Sequence, residues 1–185
     1  MKKLSHSEIS QKRASLETLD KINKLPVVVV LNSIRSSYNV GSIFRTSDGA
    51  MIQKLYLCGY TPSPLKKEVL KTSLGSEKSV EWESIDNPVE LVKELKGKGY
   101  TICSLEQTSK NIPYTKIENF NFPICLIVGN EITGVNQQLI DLFHKVLISF
   151  YSLDLIHFFL SLLQPFQLRF PKLEENPHLL SFQQS

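Results

Sequence analysis

Apolar residues in this chain come in short unbroken runs, and between the runs they spread out to spacings of three and four. The runs at 27–31, 54–58, 80–82, 100–105, 124–128 and 146–148 read as strands, because consecutive Val, Ile and Leu suit a strand covered on both faces. The segments between them read as helices. One begins at Asn39 and turns Ile43 and Phe44 inward, with Arg45 near its start, and a second covers 66–73. A third covers 89–98, with Pro88 suited to a first turn and Gly99 to a stop, and a fourth covers 137–144. Ahead of these, Ile9, Leu16, Leu19 and Ile22 approximate one face of an amphipathic helix over 7–24. Strand and helix alternate throughout, which predicts an α/β fold with a mainly parallel sheet flanked by helices. At 185 residues the chain suffices for one domain with its own core.

Two strand-to-turn junctions share a logic. The run ending at Leu31-Asn32 leads into Asn39-Val-Gly-Ser-Ile-Phe-Arg45-Thr46, and Ile124-Cys-Leu-Ile-Val128 is followed at once by Gly129-Asn-Glu131-Ile-Thr-Gly134. Ligands of open parallel sheets bind outside the carboxyl ends of the strands, so the two turns are expected to converge on one site. Gly41 permits close approach to a neighbour or a ligand. Asn39 can donate and accept, and Arg45 offers a fork of donors that suits phosphate or carboxylate. Arg45 also reads as a structural arginine, and Glu131 as an acid favoured by the positive end of a helix.

Charge alters this picture only locally. The net charge of +3 permits a polyanionic partner without requiring one. Basic residues gather in the N-terminal arm (Lys2, Lys3, Lys12, Arg13, Lys21, Lys24) and around Lys66, Lys67, Lys71 and Lys78. Cys58, Cys103 and Cys125 lie in or beside apolar runs without metal-type spacing, so they read as buried reduced thiols and no metal is expected. The N-terminus lacks the apolar core of a signal peptide, and the Leu/Phe-rich stretch at 148–163 is short and interrupted by Asp154 and His157. A cytoplasmic protein away from membranes is expected. No GxGxxG or GxxxxGK[ST] occurs, which disfavours dinucleotide and P-loop chemistry.

Four segments together carry a family resemblance: Asn39-x-Gly-x-Ile-x-Arg-Thr, Lys71-Thr-Ser-Leu-Gly-Ser-Glu-Lys-Ser-Val80, Ser104-Leu-Glu-Gln-Thr108, and Leu126-Ile-Val-Gly-Asn-Glu131-x-x-Gly134. Each is weak alone. In this order and spacing they resemble the SpoU (TrmH) family of RNA methyltransferases, of the SPOUT superfamily, over roughly residues 25–148. The resemblance implies a trefoil-knotted α/β fold, S-adenosylmethionine as methyl donor, a homodimer, and tRNA or rRNA methylated on a ribose 2′-hydroxyl. Carried over by position, it implies catalytic roles for Asn39, Arg45 and Glu131, and cofactor contacts from Leu105, Gly129, Asn130, Ile148 and Phe150. Arg35, Lys66, Lys67, Lys71 and Lys78 are the expected RNA contacts. A guanidinium stays charged at ordinary pH, so Arg45 is expected to act electrostatically, with Glu131 orienting it or taking the proton.

The third family motif is missing. A small-residue helix should follow the strand at 146–148, yet the chain reads Ser149-Phe-Tyr-Ser-Leu-Asp-Leu-Ile-His157 and then a Leu/Phe-rich stretch broken by Pro165. The division expected is a basic helical arm (1–24), the methyltransferase domain (25–150), and a divergent or frameshifted tail (151–185) that does not complete the knot. Codons for Leu163-Gln-Pro-Phe-Gln-Leu-Arg-Phe170 can spell an Ala-Ala-Ile-Ser-Ile-Ala-Ile helix two bases out of phase, which motivates the frameshift. Such a tail would leave the cofactor pocket short of one wall, so impaired activity is expected of this form. The alternative function is a non-catalytic RNA-binding or dimerisation module derived from such an enzyme. An unrelated nucleotide-binding α/β protein ranks third.

Overall fold

The structure, a computed structural model, describes residues 5, 8, 24–106, 112–113, 121–143 and 145–148. Most of the N-terminal arm, Phe150 and the tail lie outside the described residues, as do the segments whose threading would define a knot.

Strand β1 (Leu25–Asn32) is followed by helix α1 (Ser37–Gly49), β2 (Ile52–Cys58), α2 (Lys67–Ser73) and a 3-10 turn at Ser76–Lys78. Then come β3 (Glu81–Ile85), α3 (Pro88–Gly97), β4 (Thr101–Leu105), β5 (Ile112–Pro113), β6 (Ile124–Val128), α4 (Gln137–Ile140) and β7 (Lys145–Ile148). The seven strands form one sheet in the order β3-β2-β1-β6-β4-β7-β5, and every pairing in it is parallel.

The central strand shows why the unbroken apolar runs were needed. Val27, Val29 and Leu31 pack on one face of the sheet with Phe44 and Val40 of α1 and Val69 of α2. Val28 and Val30 pack on the other face with Leu91, Val92 and Leu95 of α3 and Leu139 of α4. Alternate residues of one strand therefore serve two cores, and each fully buried Val, Leu or Phe contributes about 1.5–3 kcal/mol of transfer free energy. The β3 edge is charged rather than apolar: Lys54 of β2 pairs with Glu81 at 2.8 Å and Glu83 at 2.9 Å, an arrangement that discourages further strand pairing. All three cysteines are buried and in no disulfide, and burial pushes the Cys58 thiol up to about 12.

Local signals set the helix ends. The Ser36 side chain caps α1 by accepting from Asn39 N at 3.2 Å. The Asn87 side chain caps α3, with Pro88 in its first turn and Gly99 at φ +87 beyond its end. Helix α4 is shorter than the 137–144 expected, because Asp141 already closes it, and His144 lies outside the described residues. The two-residue strand β5 and the 3-10 turn had no pattern long enough to reveal them.

Candidate functional site

The order of the strands reverses between β1 and β6, since β6 enters the sheet between β1 and β4. Leu31 is level with Val128, Val128 with Leu105, and Leu105 with Leu147. The carboxyl ends of β1, β6, β4 and β7 therefore form one row at the reversal point, where open α/β sheets hold their ligands. Leu105, Gly129 and Ile148, the expected cofactor contacts, all lie on or just beyond that row.

The turn after β1 is held in an uncommon conformation. Ser33 has φ +59, a left-handed value that costs energy for a residue with a side chain. It faces Gly59 of the turn after β2, where a Cβ would come within 2.4 Å of Ser33 Oγ. Thr61 ties the two turns together. Its buried hydroxyl accepts from Ile34 N at 3.0 Å and reaches the carbonyls of Leu31 (2.9 Å) and Cys58 (2.7 Å), its single proton going to one or the other.

Glu131 joins the two sequence motifs across 92 positions. Its Oε1 accepts from Asn39 Nδ2 at 2.9 Å and Ser36 N at 3.1 Å, and its Oε2 accepts from Arg35 N at 2.9 Å. Partial desolvation would push this carboxyl up, but the N–H donors of Arg35, Glu131 itself and Ser36 and the Asn39 amide outweigh it, so the group ionises below its ordinary value. Glu131 is thus an acid at the positive end of a helix, though the helix is α1 rather than the one that follows it in sequence. Among the described residues its carboxylate bonds to these donors and not to the Arg45 guanidinium. Arg45 is the ninth residue of α1, not near its start, and lies about 9 Å along the axis from Asn39. Its exposed guanidinium has no hydrogen-bond or ion-pair partner among the described residues.

Asn130 holds the turn itself. Its amide nitrogen donates to Ser33 O at 2.8 Å and Tyr60 Oη at 2.6 Å, while Oδ1 accepts from Ile132 N and Thr133 N, both at 2.9 Å. Its backbone pairs with Gly134 in both directions, at 3.1 and 2.9 Å. Both amide protons are spent within the protein, so the Asn130 side chain locks the β6 turn to the β1 turn. Gly129 has a packing reason as well, for a Cβ there would lie 2.6 Å from Gly134 C and 2.7 Å from Val135 N.

Gly41 answers to a neighbour rather than a ligand: a Cβ would sit 2.5 Å from Val69 O of α2. Lys66, Lys67, Lys71 and Lys78, the expected RNA contacts, are all exposed on or beside α2 and the 3-10 turn, and Arg35 is exposed at the mouth of the site. Sequence reasoning missed Tyr60, Thr61 and Glu106. Glu106, just past β4, accepts from Val135 N at 2.8 Å and draws the 129–135 loop toward β4. Its place in the Ser104–Thr108 segment was a signal, whereas Tyr60 and Thr61 were hidden in a proline-rich turn. Among the described residues no three His, Cys, Asp or Glu side chains gather as a metal site, and no helix is long and apolar enough to cross a membrane.

The chain is thus an α/β protein with a parallel sheet covered on both faces, and polar, glycine-containing turns meet at the sheet's reversal point. The SpoU rRNA Methylase family matches residues 26–150, and the chain belongs to that family. Among curated proteins it is similar to the tRNA (guanosine(18)-2′-O)-methyltransferase of Aquifex aeolicus, at 28% identity over 134 residues. That match covers 71% of this chain and 61% of the relative, and other relatives are matched over about half their length. The crystal structure of the A. aeolicus TrmH/SpoU tRNA modifying enzyme superposes with a TM-score of 0.71 at 21% identity, covering 83% of each chain. An AdoMet-bound rRNA methyltransferase from Sinorhizobium meliloti gives 0.65 at 23% identity, over 78% of this chain and 58% of that one.

Proposed function

We propose that the chain is a cytoplasmic, S-adenosylmethionine-dependent methyltransferase that modifies a ribose 2′-hydroxyl of tRNA or rRNA and works as a homodimer. Family membership over 26–150 supports the reaction class. The observation that carries the site is the Asn39–Glu131 hydrogen bond, which brings the first and second family motifs into one constellation.

The residues fit the cofactor. Leu105 and Val128 are only partly buried at the end of the strand row, offering an apolar floor beside the backbone of Gly129 and Ile148. When bound, S-adenosylmethionine supplies an electrophilic methyl group on a sulfonium. Everything else falls to the chain. Glu131 is acceptor-only as a carboxylate, so it fixes the Asn39 amide with nitrogen inward. That leaves Asn39 Oδ1, which accepts no hydrogen bond among the described residues, open to accept a hydrogen bond from the ribose hydroxyl and set the direction of its lone pair, the proton itself passing to solvent water as the methyl group is transferred. Glu131 is a positioning residue in this scheme, because a lowered pKa and three accepted bonds make it a poor base. Arg45, exposed and charged, steadies the developing oxyanion or clamps the adjoining phosphate. Arg35, Lys66, Lys67, Lys71 and Lys78 supply the phosphate contacts.

The test is calorimetric titration with S-adenosylmethionine, paired with methyl-tritium transfer to total RNA from a strain lacking the gene. Saturable cofactor binding and label in alkali-resistant dinucleotides are expected, since a methylated 2′-oxygen cannot attack its phosphate. RNA binding without cofactor binding would instead mark a binding module. Sequencing the gene around codon 150 decides whether the tail arises from a shifted frame: a one- or two-base change that restores the third motif is expected.

A further inference from the structure

We infer that Tyr60 is a stacking platform for a nucleobase of the RNA, a reading that rests on the RNA-modifying function proposed above. The Tyr60 side chain is 62% exposed, a large flat ring left to solvent at the edge of the site. It is nevertheless held. Its hydroxyl accepts from Asn130 Nδ2 at 2.6 Å, and Asn130 adjoins Glu131. Its backbone is fixed on one side by Gly59, at φ +61 against Ser33, and on the other by Thr61, 8% exposed and bonded to β1. A tyrosine tethered at its tip and both backbone flanks has few rotamers left to lose, while the ring faces stay open.

The occupant follows from the neighbourhood. Arg35 stands exposed at the same mouth and Lys66 and Lys67 follow in the next turn, so the surroundings favour an anionic polymer over an apolar peptide. Sequence-specific RNA recognition targets single-stranded loops, where a base beside the ribose presented to Asn39 needs a flat aromatic surface to stack on. Tyr60 meets that need within one residue of the Glu131–Asn39 contact.

The experiment compares Tyr60→Phe with Tyr60→Leu in the full chain. Both remove the hydroxyl and free Asn130 equally, so they differ only in the ring. Binding of fluorescein-labelled unfractionated tRNA is read by anisotropy, methyl transfer by the tritium assay, cofactor affinity by calorimetry, and mass by sedimentation. Tyr60→Phe is expected to stay within about two-fold of wild type and Tyr60→Leu to lose about ten-fold in RNA affinity, with cofactor affinity unchanged in both. Equal RNA affinities for the two variants overturn the platform. So does a wild-type chain that binds no RNA, or a change of oligomeric mass confined to Tyr60→Leu, which would assign the ring to a second copy of the chain. RNA binding that distinguishes Phe from Leu in a chain that transfers no methyl group keeps the platform and refutes the catalytic reading instead.

Discussion

Replacing Asn130 by alanine should loosen the site more than any other single truncation in the turn, and the structure allows the size to be worked out. The side chain is 6% exposed and makes four hydrogen bonds. One of them, to the exposed Tyr60 hydroxyl, is replaced by water at little cost. The other three leave Ser33 O, Ile132 N and Thr133 N short of a partner in part-buried positions. At about 1 kcal/mol for each, near the low end for unsatisfied buried groups, the loss is about 3 kcal/mol. For a domain of this size that corresponds to a fall of about 6–12 °C in Tm. Asn130→Asp is expected to lose at least as much: it keeps both accepted bonds but sets a charged oxygen against the Ser33 carbonyl where a donor stood. Thermal unfolding followed by circular dichroism reads both variants. A Tm for Asn130→Ala within about 2 °C of wild type would falsify the assignment of Asn130 as the lock between the two turns.

Gly41→Ala should destabilise by about 1–3 kcal/mol in urea unfolding, because its Cβ meets the Val69 carbonyl and Ser73 N of α2 and the two helices must part; unchanged stability would mean they do not touch. Arg45→Ala should lower methyl transfer by about 10²–10³ while cofactor affinity and Tm hold, and a matching loss of cofactor affinity would remove its electrostatic role. Glu131 ionises below its ordinary 4.5 in the folded chain, so its contribution is present above that value and disappears as pH falls through the lower folded pKa. Wild-type Tm should therefore fall more steeply between about pH 5 and about pH 3 than that of Glu131→Gln, and parallel curves would show that the contact does not form in solution.

The strands and most of the helices were legible because each records a local balance. The 124–128 run matches β6 residue for residue, the 66–73 helix differs from α2 by one residue at its start, and the 89–98 helix is offset from α3 by one residue at each end. Valines 27 to 30 announce a strand covered on both faces, since no surface strand would carry four in a row. The two turns meet as expected, at the Asn39–Glu131 contact, but the residues could not show which side chains pair there. Arg45 read as an anion-binding residue near a helix start because Asn39 looked like the first turn, yet α1 begins at Ser37 and carries Arg45 into its third turn. Glu131 read as orienting that arginine or taking the proton, a role that followed from the family resemblance.

The pairing that forms instead depends on insertion of β6 between β1 and β4, a topological event with no local signature. Once the insertion occurs, the row Leu31, Val128, Leu105 and Leu147 fixes the heights of the strand ends. Glu131, three residues beyond Val128, then stands beside the unpaired N–H groups at the start of α1, which attract a carboxylate more strongly than an exposed arginine would. The same insertion places Asn130 against Ser33 and Tyr60, so one strand placement creates the lock, the fixed amide of Asn39 and the tethered ring together. A substitution in β6 that weakens this placement should therefore disturb all three contacts at once, while one in α2 should leave them intact.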